Sequence, residues 1–214
     1  MDSEQKEIQT ARLVFYAFLR SFLDSPPTDE KFRYWLGLLD AMTSETGSAP
    51  LDEALLTLRN ALGNSMPIGC QNEYYELFEN PFSPNRVQLC ASYYIDGKIM
   101  GPSLVNLRHL LYNLNIGKVE GFKEPEDHLV FLIDTMMHLI QRQNKVPEES
   151  VKAQQEMLED YLIPCIKGVS NTLGALEKFN VYGALLNVAT AFLGLEQSLF
   201  PSNRLLIKGG GHET

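Results

Sequence analysis

Glu124, Asp127 and His128 fall within the five-residue run Glu124-Pro125-Glu126-Asp127-His128, the densest set of side chains in the chain able to bind a charged group or move a proton. Two carboxylates so close suit a guanidinium, whose planar fork matches carboxylate geometry better than an ammonium does. Proline fits the first position of a helix and acids are favoured near its positive end. The run therefore predicts a helix from Pro125 to about Gln143, with Leu129, Leu132, Ile133, Met136, Met137 and Ile140 as its apolar face. Asp127 then has two readings: it satisfies orphan backbone N–H groups of its own helix, or with Glu124 it offers a carboxylate to a ligand. His128, beside the same positive end, is expected to be a neutral hydrogen-bond partner.

A second constellation is Tyr74-Tyr75-Glu76-Leu77-Phe78 followed by Asn80-Pro81-Phe82. So many aromatics exceed what one face of a short helix can bury. The surplus points either to packing between two halves of the molecule or to a groove lined by Leu77, Phe78 and Phe82 and bordered by acid. Such a groove fits a peptide with a basic and an apolar half.

Other chemistry lacks a foothold. His109, His128, His138 and His212 are the only histidines, and none has the i+4 partner or the nearby cysteine pair of a zinc site. Cys70, Cys90 and Cys165 are scattered, which argues for reduced, buried thiols rather than a disulfide framework. No nucleophile elbow, Walker loop or dinucleotide fingerprint occurs. The chain reads as a binder, not an enzyme, with no cofactor and no metal. A net charge of −9 disfavours nucleic acid and anionic lipid and favours basic partners. No run approaches the roughly 18 apolar residues that span a bilayer, and no secretory leader is visible, so the expected compartment is the cytoplasm.

The elements that must position these residues are helices almost throughout. Ile8, Ala11, Phe15, Phe18 and Phe22 mark one face of an opening helix that Pro26-Pro27 stops. Thr28 caps a second helix with Phe32, Trp35, Leu36, Leu39 and Met42 inward, and Thr43 to Ala49 form a loop. A third opens at Pro50 with the stripe Leu51, Ala54, Leu55, Leu58 and Leu62, and a short aromatic helix covers about Gln71 to Phe78. Residues Asn80 to Asp96 read as a long ordered loop with an extended piece at Ser92 to Ile95. Pro102 starts a helix with Leu104, Leu107, Leu111 and Leu114 inward, Pro147 starts another that Pro164 should kink or split, and the last runs from about Val181 to Leu199. The fold class is all-α. The expected organisation is a bundle of two lobes, 1–114 and 125–208, joined by a hinge at 115–124, with a mobile tail at 209–214. Hinge-linked lobes can exchange, so a monomer and a domain-swapped dimer are both open.

In chain order, Tyr74-x-x-Leu77-Phe78, then Ser92-Tyr93 with Asp96, Gly101, and Glu124-Pro125-x-Asp127-His128 before a helix, the sequence resembles the TorD/DmsD/NarJ family of redox enzyme maturation chaperones over about residues 8 to 200. The resemblance implies an all-α chaperone. It would bind the twin-arginine signal peptide, or the apo body, or both, of a molybdopterin oxidoreductase subunit until its cofactor is loaded. Carried over by position, the implied peptide-binding residues are Tyr74, Leu77, Phe78, Phe82, Ser92, Tyr93, Gly101, Glu124, Pro125, Asp127 and His128. The chain departs from the pattern at Tyr74 and Tyr161, where many relatives carry tryptophan, and at Leu89-Cys90-Ala91, which lacks a proline before the serine. These departures leave the client subfamily open. The other reading is a helical adaptor that grips an amphipathic segment of an unrelated partner, with Asp127 and His128 purely structural.

Overall fold

A computed structural model describes residues 3–42, 46–176 and 179–200. Residues 43–45 of the expected Thr43 to Ala49 loop and the tail at 209–214 lie outside them. Among the described residues the chain forms ten α-helices: α1 (Ser3–Leu23), α2 (Asp29–Met42), α3 (Ala49–Gly63), α4 (Pro67–Tyr74), α5 (Ala91–Asp96), α6 (Pro102–Asn113), α7 (Leu129–Arg142), α8 (Pro147–Met157), α9 (Ile163–Gly174) and α10 (Asn180–Ser198). The single sheet-like contact among them is an isolated antiparallel bridge between Cys90 and His128. The all-α expectation holds.

The proline-led starts arise where sequence chemistry places them. Thr28 Oγ1 accepts the Lys31 N–H to cap α2, and Pro50, Pro102 and Pro147 occupy first-turn positions of α3, α6 and α8, where a missing N–H costs nothing. All five predicted stripe residues of α3 are buried. Along α1 the expected face holds at Phe18 and Phe22, which are buried, but not in the first turns. Ile8 is exposed, whereas Arg12 and Tyr16 face inward. The cause is a buried polar cluster that a hydrophobic count does not register. Arg12 Nε and Nη2 donate to the two carboxylate oxygens of Glu196 at 2.7 and 2.8 Å, Nη2 also reaches Gln154 Oε1, and the Tyr16 hydroxyl donates to Glu196.

Pro164 does split its helix. With no N–H to offer, it stands just after a π-turn, Leu158–Leu162, that separates α8 from α9. A second π-turn, Tyr75–Glu79, follows α4 and resolves the crowding of aromatics. Tyr74 and Leu77 turn inward, Phe78 is half-buried and Tyr75 is exposed.

The hydrophobic core is continuous across residue 120: α1 packs on α7, α3 runs along α10, and both interfaces belong to one cluster. Within it Phe22 stacks on Trp35 at 3.7 Å, and Tyr182 of α10 meets Phe22, Tyr74 and Phe78 edge-on or tilted. Glu73 of α4 accepts the backbone N–H groups of Asn180, Val181 and Tyr182, capping α10 across more than a hundred residues.

Two expected boundaries are corrected. The helix carrying the apolar stripe begins at Leu129, not Pro125, because the backbone of 125–128 is used elsewhere. His128 N–H closes a turn on Pro125 O, the Asp127 carbonyl accepts from Ala91, and Leu129 N–H donates to Leu89. The piece at Ser92 to Ile95 is helical, not extended, because α5 is capped from outside its own sequence by Asp127.

Candidate functional site

The π-turn after α4, the 86–90 segment, the 115–124 connection and the start of α7 enclose a cleft of about 280 Å3. Tyr74, Phe78, Glu124 and His128 of the sequence-predicted set line it, so the aromatic helix and the acidic run do meet. Among the residues that sequence reasoning missed, Asp24, Glu79, Arg86, Leu89 and Phe122 also line it. Lone charges and loop apolars at these positions carry no motif; Phe122 falls in the expected hinge, where Gly121 turns the chain at a φ of +90°. A larger hollow of about 530 Å3 opens between α1, the α7–α8 connection and the end of α10, but none of the predicted residues lines it.

His128 is the N-cap of α7. Its Nδ1 accepts the Val130 N–H at 3.3 Å, which leaves Nε2 as the protonated, donating nitrogen. Burial pushes its pKa below the ordinary histidine value, although Glu124 and Asp127 pull the other way, so the ring is neutral. The Phe122 ring stands edge-on to it at 6.3 Å. His128 therefore combines the structural and the cleft-facing roles, neutral as expected.

Asp127 has no exposed surface. Its Oδ2 accepts the Ser92 N–H at 2.8 Å and its Oδ1 has no hydrogen-bond partner among the described residues. The capping reading of Asp127 is thus correct in kind but applies to α5, not to its own helix. Ser92 is equally buried, and its hydroxyl accepts the Met100 N–H. Gly101 is needed for close approach: a Cβ there runs into the Asp96 carboxylate, which caps α6 through the backbone and hydroxyl of Ser103. Leu77 lies wholly in the core, Tyr93 is exposed on α5, and Phe82, 92% exposed, projects from a turn outside the cleft. Pro125 shapes the turn without lining the cleft.

The charges around the cleft are unevenly satisfied. Asp24 is held by Arg20 and Lys31 at 2.8 and 2.5 Å. Glu126, next to the cleft residues, is tied to Arg108; burial works against ionisation, but these bonds outweigh it and hold the carboxyl below its usual range. Glu79 and Glu124 have no ion-pair partner among the described residues, so they are the carboxylates available to a cationic ligand. Burial raises the Cys90 thiol to about 12 and also raises Cys165, so both are protonated, inert small hydrophobes, and all three cysteines are buried and free.

Comparison with known proteins agrees with this architecture. A chaperone protein TorD of Vibrio cholerae (strain N16961) is 22% identical over 162 residues, 73% of each chain, and TorD of the classical Ogawa strain matches over the same span. The crystal structure of a redox enzyme maturation protein from Archaeoglobus fulgidus shares the fold with a TM-score of 0.51 at 18% identity, covering 86% of this chain and 93% of that one. The family model of the nitrate reductase delta subunit matches residues 44–169, which is more than half of the chain and includes the whole aromatic helix and acidic run. The chain belongs to the nitrate reductase delta subunit family.

Proposed function

We propose that this protein is a non-catalytic assembly chaperone for a molybdopterin oxidoreductase subunit. It binds the twin-arginine leader of that client in the cleft between the aromatic helix and the acidic turn, before export or membrane assembly. The observation that carries the reading is the meeting of Tyr74 and Phe78 with Glu124 and His128 around one opening. The names of the relatives, chaperone protein TorD and a redox enzyme maturation protein, support the same role.

The apolar part of the leader supplies most of the affinity. Rim ion pairs contribute about 0.2–1 kcal/mol each. Burying about 300 Å2 of apolar surface offers about 7 kcal/mol before ordering costs, which with the rim ion pairs makes micromolar affinity the upper limit. Glu79 and Glu124 take the guanidinium role first assigned to Glu124 and Asp127, since Asp127 has no surface to offer. Leu77, Ser92, Gly101, Pro125 and Asp127 then shape the cleft from behind, while Phe82 and Tyr93 extend the contact beyond it. The division into segments 1–114 and 125–208 about a connection at 115–124, the choice between monomer and swapped dimer, and a cytoplasmic location belong to the same proposal. No helix among the described residues is long and apolar enough to cross a membrane.

Calorimetric titration with twin-arginine leaders of molybdoenzymes encoded nearby tests it. Micromolar binding that is lost with scrambled leaders and weakened by Phe78→Ala is expected. Equal, weak heats from leaders and scrambled controls would overturn the reading in favour of a general adaptor.

A further inference from the structure

Arg86 lines the same cleft as Glu79 and Glu124, yet among the described residues none of the three forms an ion pair. Elsewhere the chain pairs its charges readily. Arg20 and Lys31 both hold Asp24 at the edge of this very cleft, Arg108 holds Glu126 beside it, and Lys118 approaches Glu124 through the carbonyl rather than the carboxylate. The cleft lining thus holds one cation and two acids, none of them in an ion pair among the described residues, which makes it bipolar rather than purely acidic. The root of Arg86 is fixed. Its N–H reaches Ser83 O at 3.4 Å, Asn85 N–H caps on the Ser83 hydroxyl, and Val87 N–H is bound to Leu77 O at 2.8 Å, which ties the segment to the buried floor.

We propose that Arg86 is a specificity-determining residue of the peptide site, reading a carboxylate of the bound peptide while Glu79 and Glu124 read its arginines. The inference rests on the leader-binding reading above. A guanidinium donates two parallel hydrogen bonds to a carboxylate, and the same positive charge repels a purely cationic segment. The cleft therefore selects peptides that carry an acid near their arginine pair over polycations of equal net attraction to an acidic surface. Arg86 also supplies the discrimination that exposed carboxylates alone lack, since those accept any positive peptide.

The test uses the full chain and a synthetic twin-arginine leader peptide in three forms, with Asp, Gln or Lys at each position flanking the arginine pair, titrated against wild type, Arg86→Gln and Arg86→Glu. At one flanking position wild type is expected to bind the Asp form up to about fivefold tighter than the Gln form, as for a rim ion pair, and the Lys form more weakly. Arg86→Gln levels the three and Arg86→Glu reverses their order, with unchanged melting temperatures because Arg86 is exposed. Tight binding of all three forms with no dependence on residue 86 overturns this proposal alone. Failure of every form to bind wild type overturns the leader-binding reading and this proposal with it.

Discussion

The carboxylate of Asp127 reaches 35 residues back along the chain to accept the Ser92 backbone N–H at 2.8 Å, so the acidic run at the cleft is also the N-terminal cap of α5. Loss of a capping side chain costs about 0.5–2 kcal/mol. Asp127→Ala is expected to lower stability by that amount in chemical denaturation and to speed amide exchange in Ala91–Asp96. Asp127→Asn, which keeps an acceptor for Ser92, is expected to lose less. Equal exchange in α5 for both variants and wild type would refute the capping role.

His128 makes stability pH-dependent. Its folded pKa is depressed below the unfolded value of about 6.5, so its contribution is complete above about pH 6.5 and is lost as pH falls through the lower folded value. Melting temperatures of wild type are expected to drop more steeply between neutral pH and mild acid than those of His128→Asn, which retains an N-cap acceptor without a titrating ring. Parallel curves would contradict this assignment.

Arg12 and Glu196 form a buried pair, 7% and 1% exposed. Removing one partner leaves the other charge buried alone, at a cost of about 3–5 kcal/mol. Arg12→Met and Glu196→Leu are each expected to destabilise by that much in urea, and the double variant to recover most of it. Additive losses would show that the charges act independently.

Gly101→Ala must push the Asp96 carboxylate off Ser103. A cost of about 1–3 kcal/mol is expected from overpacking, with loss of protection in the first turn of α6. Unchanged melting would mean that the connection gives way without strain.

Phe78 and Phe82 separate cleft from surroundings. Phe78→Ala is expected to weaken leader binding by roughly 2 kcal/mol, about thirtyfold. Phe82→Ala, at a 92% exposed position, is expected to leave stability within about 0.5 kcal/mol and to weaken leader binding less. A larger loss at Phe82 would move the main contact outside the cleft.

The helices were legible wherever one residue type did one job. The Leu51, Ala54, Leu55, Leu58 and Leu62 stripe, the proline starts of α3, α6 and α8 and the interruption at Pro164 all follow from local chemistry. What escaped the sequence was long-range. The burial of Arg12 depends on Glu196 and Gln154, the helicity of α5 on Asp127, and the late start of α7 on hydrogen bonds to Leu89 and Ala91. Of the site, the aromatic and acidic poles were readable as motifs. Glu79, Arg86 and Phe122 were not, because single residues on turns gain their position only from the packing of distant segments.

The packing of α1 on α7 and of α3 along α10 has a consequence during synthesis. Until α10 has cleared the ribosome, α3 has only α2 to lie against, and α1 meets α2 but still waits for α7. A newborn chain of this family must therefore keep its own oily faces from sticking to neighbours until the last helix arrives, the hazard it is proposed to spare its client.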